Sequence, residues 1–249
     1  MTHLLILGGT AEAAALAARL AGELRVTTAL AGRTEHPGPL AGAVRIGGFG
    51  GAEGLAAWLV EHEVDLVVDA THPFAAAISA HAAEACARLG LPRLRLQRPP
   101  WRRDPRDRWI EVADAPGAAR ALARLGGRAF VTVGTRELPA FAGLDMVWLL
   151  IRLIAMPAVL PALGPHEFIL GRGPFALAEE RRLLQRHHIT ALVTKASGGA
   201  ATEAKILAAR EADLPVVLIR RPPPPDGPIV DSVEDAAAWV AARLGRPPA

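Results

Sequence analysis

The chain has 249 residues, of which 51% are hydrophobic, 21% charged and 4% aromatic, and its formal net charge is +3. This modest charge and the scarcity of aromatic residues argue against nucleic-acid binding, which depends on basic residues interleaved with stacking rings. The single cysteine, Cys86, excludes an internal disulfide and fits a reducing compartment. Because no segment has the form of a signal peptide or a membrane span, we expect a soluble, cytoplasmic protein without a membrane contact.

Short apolar runs typical of buried strands alternate along the chain with longer alanine-rich segments of helical periodicity. This alternation predicts an α/β fold with mainly parallel sheets that are covered by helices on both faces. The predicted strands are 4–7, 26–29, 66–69, 93–96, 129–133, 147–151, 168–170, 191–195 and 216–219.

A segment rich in proline and charge, residues 98–109, divides this pattern in two. We therefore predict an N-terminal domain over residues 1–115 and a C-terminal domain over 116–249. The halves are interpreted as related units, since a strand, a glycine and a helix again follow one another after residue 129. A final helix is predicted near the C-terminus, where Ser232 and Asp235 form a capping box and Gly245 provides the stop.

The first predicted strand runs into Gly8 and Gly9 and then into a helix that begins near Thr10. Backbone N–H groups at such a junction form a phosphate site. Arg33 stands near the end of the second strand, where NAD-binding proteins usually carry an acid, so it favours NADP over NAD. The strict G-x-G-x-x-G spacing is absent, and the alternative is an ordinary turn with a solvated Arg33.

Three further segments follow predicted strands, where open α/β sheets bind their ligands. The glycines of residues 47–51 leave backbone exposed to a flat ligand, or else form a flexible connector. Pro73 forces His72 into an extended conformation, which should direct it towards a ligand as a proton donor or a carboxylate partner. Lys195 and Ser197 stand beside two glycines and predict an anion site.

Lys195 and Lys205 are the two lysines of the chain, and both occur in one short segment. Because arginine supplies the other basic side chains, we infer that arginine cannot replace lysine at these positions; the alternative is coincidence in a sample of two. Residues 171–175 form another candidate segment, with Arg172 facing solvent or ligand and Pro174 at a plausible first helical position.

Several mechanisms are excluded by residues that the chain lacks. It contains no tyrosine, so the Tyr-x-x-x-Lys proton relay is impossible. It also lacks the G-x-S-x-G, G-x-x-x-x-G-K-[ST] and H-E-x-x-H patterns. Cys86 and the adjacent His187 and His188 do not form a zinc site, and we predict no bound metal.

A series of short motifs in chain order resembles the precorrin-6A reductase family of cobalamin biosynthesis. The motifs are LGGTAEA, AGRT, GGFGG, DATHPFA, RPPW, GRGPF, KASGGAATEAK and VVLIRRP, which together extend from Leu7 to Pro222. The resemblance implies two Rossmann-like three-layer α/β domains with a ligand cleft between them. It further implies NADPH-dependent reduction of one double bond in the precorrin-6A macrocycle to give precorrin-6B, and possible handover to neighbouring pathway enzymes.

The resemblance also assigns residues to the two ligands. The implied NADPH-binding residues are Gly8, Gly9, Thr10, Arg33, Thr34, Gly48, Gly50, Gly51 and Thr71. The implied residues for the tetrapyrrole are His72, Phe74, Arg136, Arg172, Lys195, Ser197, Gly198 and Gly199. The proton that accompanies the hydride is expected to come from His72, Lys195 or water, and the sequence does not choose among them.

Three other functions compete with this interpretation. A cobalt-bearing macrocycle would require much the same motifs. A non-catalytic NADP-binding protein would keep the first glycine turn and Arg33 but has no need of two further glycine-rich loops. A methyltransferase that uses S-adenosylmethionine would not need a 2′-phosphate site.

Overall fold

The structure is a computed structural model that describes residues 1–32 and 39–245. The first half of the chain alternates short strands with helices, as the apolar runs predict. Its elements are β1 (His3–Leu7), α1 (Ala11–Leu20), β2 (Arg25–Leu30), β3 (Ala43–Ile46), α2 (Gly51–Glu61), β4 (Leu66–Asp69), α3 (Ala76–Leu89), β5 (Arg93–Leu96), β6 (Arg108–Val112) and α4 (Ala115–Leu125).

The second half repeats the alternation, with one difference from the predicted helices. Residues Thr135–Phe141 form a 3-10 helix that contains Pro139, which lacks the N–H an α-helix interior needs. The elements are β7 (Gly127–Thr132), β8 (Val147–Leu153), β9 (His166–Leu170), α5 (Leu177–Arg186), β10 (Ala191–Lys195), α6 (Ala204–Glu211), β11 (Pro215–Ile219), β12 (Ile229–Val230) and α7 (Val233–Arg243).

The strands form two six-stranded sheets whose neighbouring strands are parallel, which confirms the predicted α/β class. The first sheet has the order β12-β5-β4-β1-β2-β3 and the second the order β6-β11-β10-β7-β8-β9. In the first sheet the chain runs outwards from β1 to β3 on one side and from β4 to β12 on the other. In the second sheet it runs outwards from β7 to β9 on one side and from β10 to β11 on the other. This is the doubly wound order of Rossmann folds, so the predicted kinship of the two halves extends to their topology.

The sixth strand of each sheet comes from the other half of the chain. β12 pairs with β5 of the first sheet, and β6 pairs with β11 of the second. The two compact units are therefore Met1–Pro99 with Pro222–Ala249, and Pro100–Arg221. This division differs from the predicted domains 1–115 and 116–249 in two ways. Residues 98–109, interpreted as a bridge, lead into β6 of the second sheet, and the C-terminal segment with β12 and α7 belongs to the first unit.

The central strands β1 and β4 of the first sheet are buried on both faces, as their short apolar runs predict. Leu4 and Ile6 of β1 pack with α1 and α7 on one face, whereas Leu5 and Leu7 pack with α2 and α3 on the other. This alternation follows from the two-residue period of a strand. It holds β1 rigidly in the middle of the sheet, so the turn after β1 has a fixed position.

The helix ends follow local sequence signals in part. Ser232 begins α7 as predicted, since its Oγ accepts the Asp235 N–H at 3.0 Å. Gly245 follows α7 in a left-handed conformation with φ of 66°, as expected of a helix stop. Pro174 does not occupy the first helical position, because α5 begins at Leu177.

Candidate functional site

In the first unit, the chain reverses its winding direction between β1 and β4, which are neighbours in the sheet. Ligands of doubly wound sheets bind at the carboxyl ends of the strands at such a switch point. Gly8, Gly9 and Thr10 follow β1, whereas Thr71 and His72 follow β4. The structure thus brings these five predicted residues to one edge of the sheet.

The two glycines of the first turn are needed for different reasons. A Cβ on Gly8 would lie 2.7 Å from Cγ2 of Thr28, so only glycine fits between the turn and β2. Gly9 has φ of +103°, which strains any other residue, and a Cβ there would meet nothing within 4 Å. The backbone at Gly9 is therefore open to a ligand.

Thr10 caps α1 and joins the two loops at the switch point. Its Oγ1 accepts the Ala13 N–H at 3.1 Å and donates to the Ala70 carbonyl at 2.7 Å. Since the hydroxyl proton is used within the protein, it is the backbone N–H of Thr10 that can donate to a phosphate. The side chain mainly fixes the distance between the two loops.

A buried ion pair supports the loop after β4. The exposed fractions of the Asp69 and Arg95 side chains are 0% and 2%, and Arg95 donates to Oδ2 of Asp69 at 2.5 Å. Oδ1 accepts both the N–H and the hydroxyl of Thr71, at 3.1 and 2.7 Å. The Thr71 hydroxyl, predicted to contact the cofactor, therefore donates to a carboxylate within the protein.

His72 lies directly beyond this network and is partly buried. Its Nδ1 accepts the Phe74 N–H at 3.2 Å, so in the neutral ring the proton is on Nε2. The two rings are 5.8 Å apart between centroids. His72 thus has the tautomer in which Nε2 is a hydrogen-bond donor.

The glycine loop at residues 47–51 follows β3 at the same edge of the sheet. Three of its four glycines have φ between +81° and +113°, a region that other residues rarely adopt. Arg45 donates to the carbonyls of Gly47 and Gly48 and lies over the Phe49 ring at 3.8 Å. Sequence reasoning missed Arg45, although its position on the strand before the loop was a usable signal.

Arg33 and Thr34, which the sequence predicts at the 2′-phosphate, lie outside the described residues. Gly32, the last described residue before them, has φ of +72°. A Cβ on Gly32 would lie 3.3 Å from Cγ2 of Ile46, so β2 and β3 approach each other closely there. The roles of Arg33 and Thr34 stay predictions.

The second unit has an equivalent switch point between β7 and β10. Gly134 follows β7 with φ of +95°, and Arg136 is exposed in the 3-10 helix behind it. Lys195 ends β10 as predicted, and its Nζ lies 2.5 Å from Oε1 of Glu137. The structure therefore places Lys195 and Arg136 at one edge of the sheet. Sequence reasoning missed Glu137, the carboxylate in the 3-10 helix after β7 that pairs with Lys195.

The loop after Lys195 is held through its carbonyl oxygens. Arg221 donates to the carbonyls of Ala196 and Ser197, at 2.6 and 3.0 Å. Trp101 donates through Nε1 to the carbonyl of Gly199 at 3.0 Å. Side chains from both ends of the second unit thus restrain the loop that is predicted to bind the tetrapyrrole.

Lys205, the second lysine, is buried rather than presented to a ligand. Its exposed fraction is 6%, and Nζ donates to the Thr202 carbonyl at 2.9 Å. The ammonium also lies 5.3 Å from the centroid of the Trp101 ring. Arg172, by contrast, is exposed after β9.

Other chemistries receive no support from the described residues. Burial raises the pKa of the Cys86 thiol to about 11, which disfavours the reactive thiolate. Within residues 1–32 and 39–245, no group of three or more His, Cys, Asp or Glu side chains is placed to hold a metal ion. Among the helices of those residues, none combines the length and apolar character that crossing a membrane requires.

Comparison with known proteins agrees with this architecture. Residues 3–241 match the family model described as "Precorrin-6x reductase CbiJ/CobK". The chain is 51% identical to a precorrin-6A reductase of Rhodococcus erythropolis, covering 99% of this chain and all of the relative. It is 31% identical to a cobalt-precorrin-6A reductase of Salmonella typhimurium, covering 97% and 95%.

A solved structure titled "CobK precorrin-6A reductase" superimposes on the chain with a TM-score of 0.92. That protein is 40% identical, and the match covers 100% of this chain and 99% of the other. The family model and the relatives confirm the resemblance drawn from the short motifs. The chain belongs to the precorrin-6x reductase family of cobalamin biosynthesis, a family of oxidoreductases.

Proposed function

We propose that this protein reduces one double bond of metal-free precorrin-6A with NADPH to give precorrin-6B. The observation that carries the proposal is the open glycine turn after β1, held against the loop after β4 by Thr10. Exposed N–H groups at a switch point suit the pyrophosphate of a dinucleotide. High identity to precorrin-6A reductases across the whole chain supports the choice of substrate.

The residues of the first unit fit a dinucleotide. A Cβ on Gly9, Gly48 or Gly50 would meet nothing within 4 Å, so backbone is open at each position. Gly9 and Thr10 would hold the pyrophosphate through their N–H groups. Gly8, whose own N–H donates to the Ala29 carbonyl at 2.9 Å, would keep the turn close to β2. Arg33, with Thr34, would pair with the 2′-phosphate, which distinguishes NADPH from NADH.

The second unit supplies groups suited to a polycarboxylate. Arg136 and Arg172 are exposed guanidinium groups that can bind carboxylates bidentately. Lys195 adds an ammonium whose position is set by Glu137. We assign the carboxylates of the tetrapyrrole to these side chains and to the loop at 197–199.

The reduction requires one hydride and one proton. When bound, NADPH supplies the hydride. His72 is one candidate donor: a protonated ring would transfer its proton through Nε2, and its Nδ1 would then carry a hydrogen and no longer accept the Phe74 N–H. Lys195 and solvent water are the alternative donors.

A cobalt-bearing macrocycle is the second candidate substrate. The precorrin-6A reductases among the relatives are 40–51% identical to this chain, whereas the cobalt-precorrin-6A reductases are 28–31% identical. This difference favours the metal-free macrocycle.

Anaerobic incubation with precorrin-6A and either NADPH or NADH tests the proposal. We expect nucleotide oxidation and a change in the tetrapyrrole spectrum with NADPH, and much slower changes with NADH. Reaction with cobalt-precorrin-6A alone would support the second substrate. NADPH binding without a change in either spectrum would favour a non-catalytic NADP-binding protein.

A further inference from the structure

We propose that Trp101 and Lys205 are positioning residues for tetrapyrrole binding, a role that rests on the function proposed above. Trp101 holds the Gly199 carbonyl and Lys205 the Thr202 carbonyl, so that the Ala200 N–H is presented to a carboxylate of the substrate. The Gly198 N–H, which Arg221 orients through the Ser197 carbonyl, lies in the same loop. Neither side chain is assigned to the ligand itself.

The direction of the N–H groups follows from peptide geometry. In a planar trans peptide, the N–H points opposite to the carbonyl of the preceding residue. Because Arg221 binds the Ser197 carbonyl and Trp101 the Gly199 carbonyl, the Gly198 and Ala200 N–H groups point away from those side chains. In the described part of the chain neither N–H donates a backbone hydrogen bond, whereas the Ser197 N–H donates to the Lys195 carbonyl.

Trp101 and Lys205 act on the loop as a pair. The Trp101 indole donates from its edge to Gly199 and receives the Lys205 ammonium over its face, at 5.3 Å from the centroid. Lys205 donates in turn to Thr202, which ends the 3-10 helix Ala200–Thr202. The pair therefore fixes the chain on both sides of Ala200.

The burial of this pair explains why lysine occurs at position 205. Trp101 and Lys205 are exposed by only 7% and 6%. A guanidinium is broader and planar, so Arg at 205 would overfill a site that accepts a compact ammonium. This is the second position at which a chain rich in arginine keeps a lysine.

The test measures ligand binding by the full-length protein carrying Trp101→Phe or Lys205→Met. Phe keeps the ring but loses the Nε1 donor, and Met keeps the packing but loses the ammonium. Trp148→Phe is the matched control, since Trp148 lies under Arg128 at 3.6 Å in the same unit but near the amino end of β8. Dissociation constants are measured for precorrin-6A and cobalt-precorrin-6A by ultrafiltration and for NADPH by fluorescence.

Loss of one oriented hydrogen bond predicts that the tetrapyrrole Kd rises about 5- to 10-fold in each variant. In the double variant, the rise in the tetrapyrrole Kd should be smaller than the product of the two single rises, because both side chains act on one loop. The NADPH Kd should stay within about twofold, and Trp148→Phe should change neither constant. Amide hydrogen exchange at residues 196–202 should become faster in both variants without ligand.

The inference is overturned if both folded variants keep the wild-type tetrapyrrole affinity. It is also overturned if Trp148→Phe loses as much tetrapyrrole affinity as the two variants do. Equal weakening of NADPH and tetrapyrrole binding would also overturn it, since that indicates a general structural effect. So would a wild-type protein that binds neither macrocycle. That last result would overturn the proposed function as well, whereas a wild-type protein that binds a macrocycle without oxidising NADPH would overturn the proposed function alone.

Discussion

Replacement of Asp69 by asparagine should destabilise the first unit severely. Asn keeps an oxygen that accepts the two hydrogen bonds from Thr71, so the substitution removes mainly the charge that faces Arg95. Arg95 is 2% exposed and would be left as a buried, uncompensated cation. Breaking one side of such a pair costs about 3–5 kcal/mol, a large share of the roughly 5–15 kcal/mol that stabilises a typical domain.

Native-state hydrogen exchange in rising urea measures this change for each unit separately. We expect the free energy of opening to fall by about 3–5 kcal/mol for amides of β1 and β4. Amides of β10 should change less, because their sheet belongs to the other unit. Asp65→Asn is the matched control: Asp65 is exposed and accepts the His3 N–H, so we expect less than about 1 kcal/mol.

A double variant separates the ion pair from simple packing. Asp69→Asn with Arg95→Met removes both charges, so it should cost less than the sum of the single variants by at least about 2 kcal/mol. Two results would refute the reasoning: a decrease of less than about 1 kcal/mol in the free energy of opening for Asp69→Asn alone, or additive costs of the two substitutions. Either would mean that the two charges are not coupled in a buried environment.

Three further variants test other parts of the site and fold. Arg33→Ala should weaken NADPH binding by about 1–3 kcal/mol with little effect on NADH; equal loss for both nucleotides in titrations would count against a 2′-phosphate contact. Lys195→Arg should lower kcat/KM for the tetrapyrrole about tenfold despite the kept charge, because the close contact with Glu137 fits an ammonium, and wild-type kinetics would contradict this. Burial lowers the pKa of His3 below 6.5, so the unfolded chain takes up the proton first and stability falls as the pH drops below 6.5. With His3→Gln, the free energy of unfolding measured in urea should depend less on pH between pH 7 and 5. An unchanged pH dependence would assign the effect to other groups.

The sequence predicted the parts of the candidate site that depend on neighbouring residues. Gly8 and Gly9 follow a buried apolar run and precede a helix, and this local order is enough to place an open turn at a strand end. Lys195 was likewise predicted at the end of β10. The hydrogen bond from Thr10 to the Ala70 carbonyl was not predictable, because the two residues are 60 positions apart and meet only where the two loops meet.

Alternation of strands and helices, and with it the α/β class, was determined by the sequence alone, since hydrophobic periodicity and glycine conformations are local properties. The sheet that each edge strand joins was decided by the tertiary structure. β6 and β12 pair with strands from the other half of the chain. The contacts Arg95–Asp69 and Trp101–Gly199 link residues 26 and 98 positions apart. Such pairings depend on the packing of whole elements, which no short window of sequence contains.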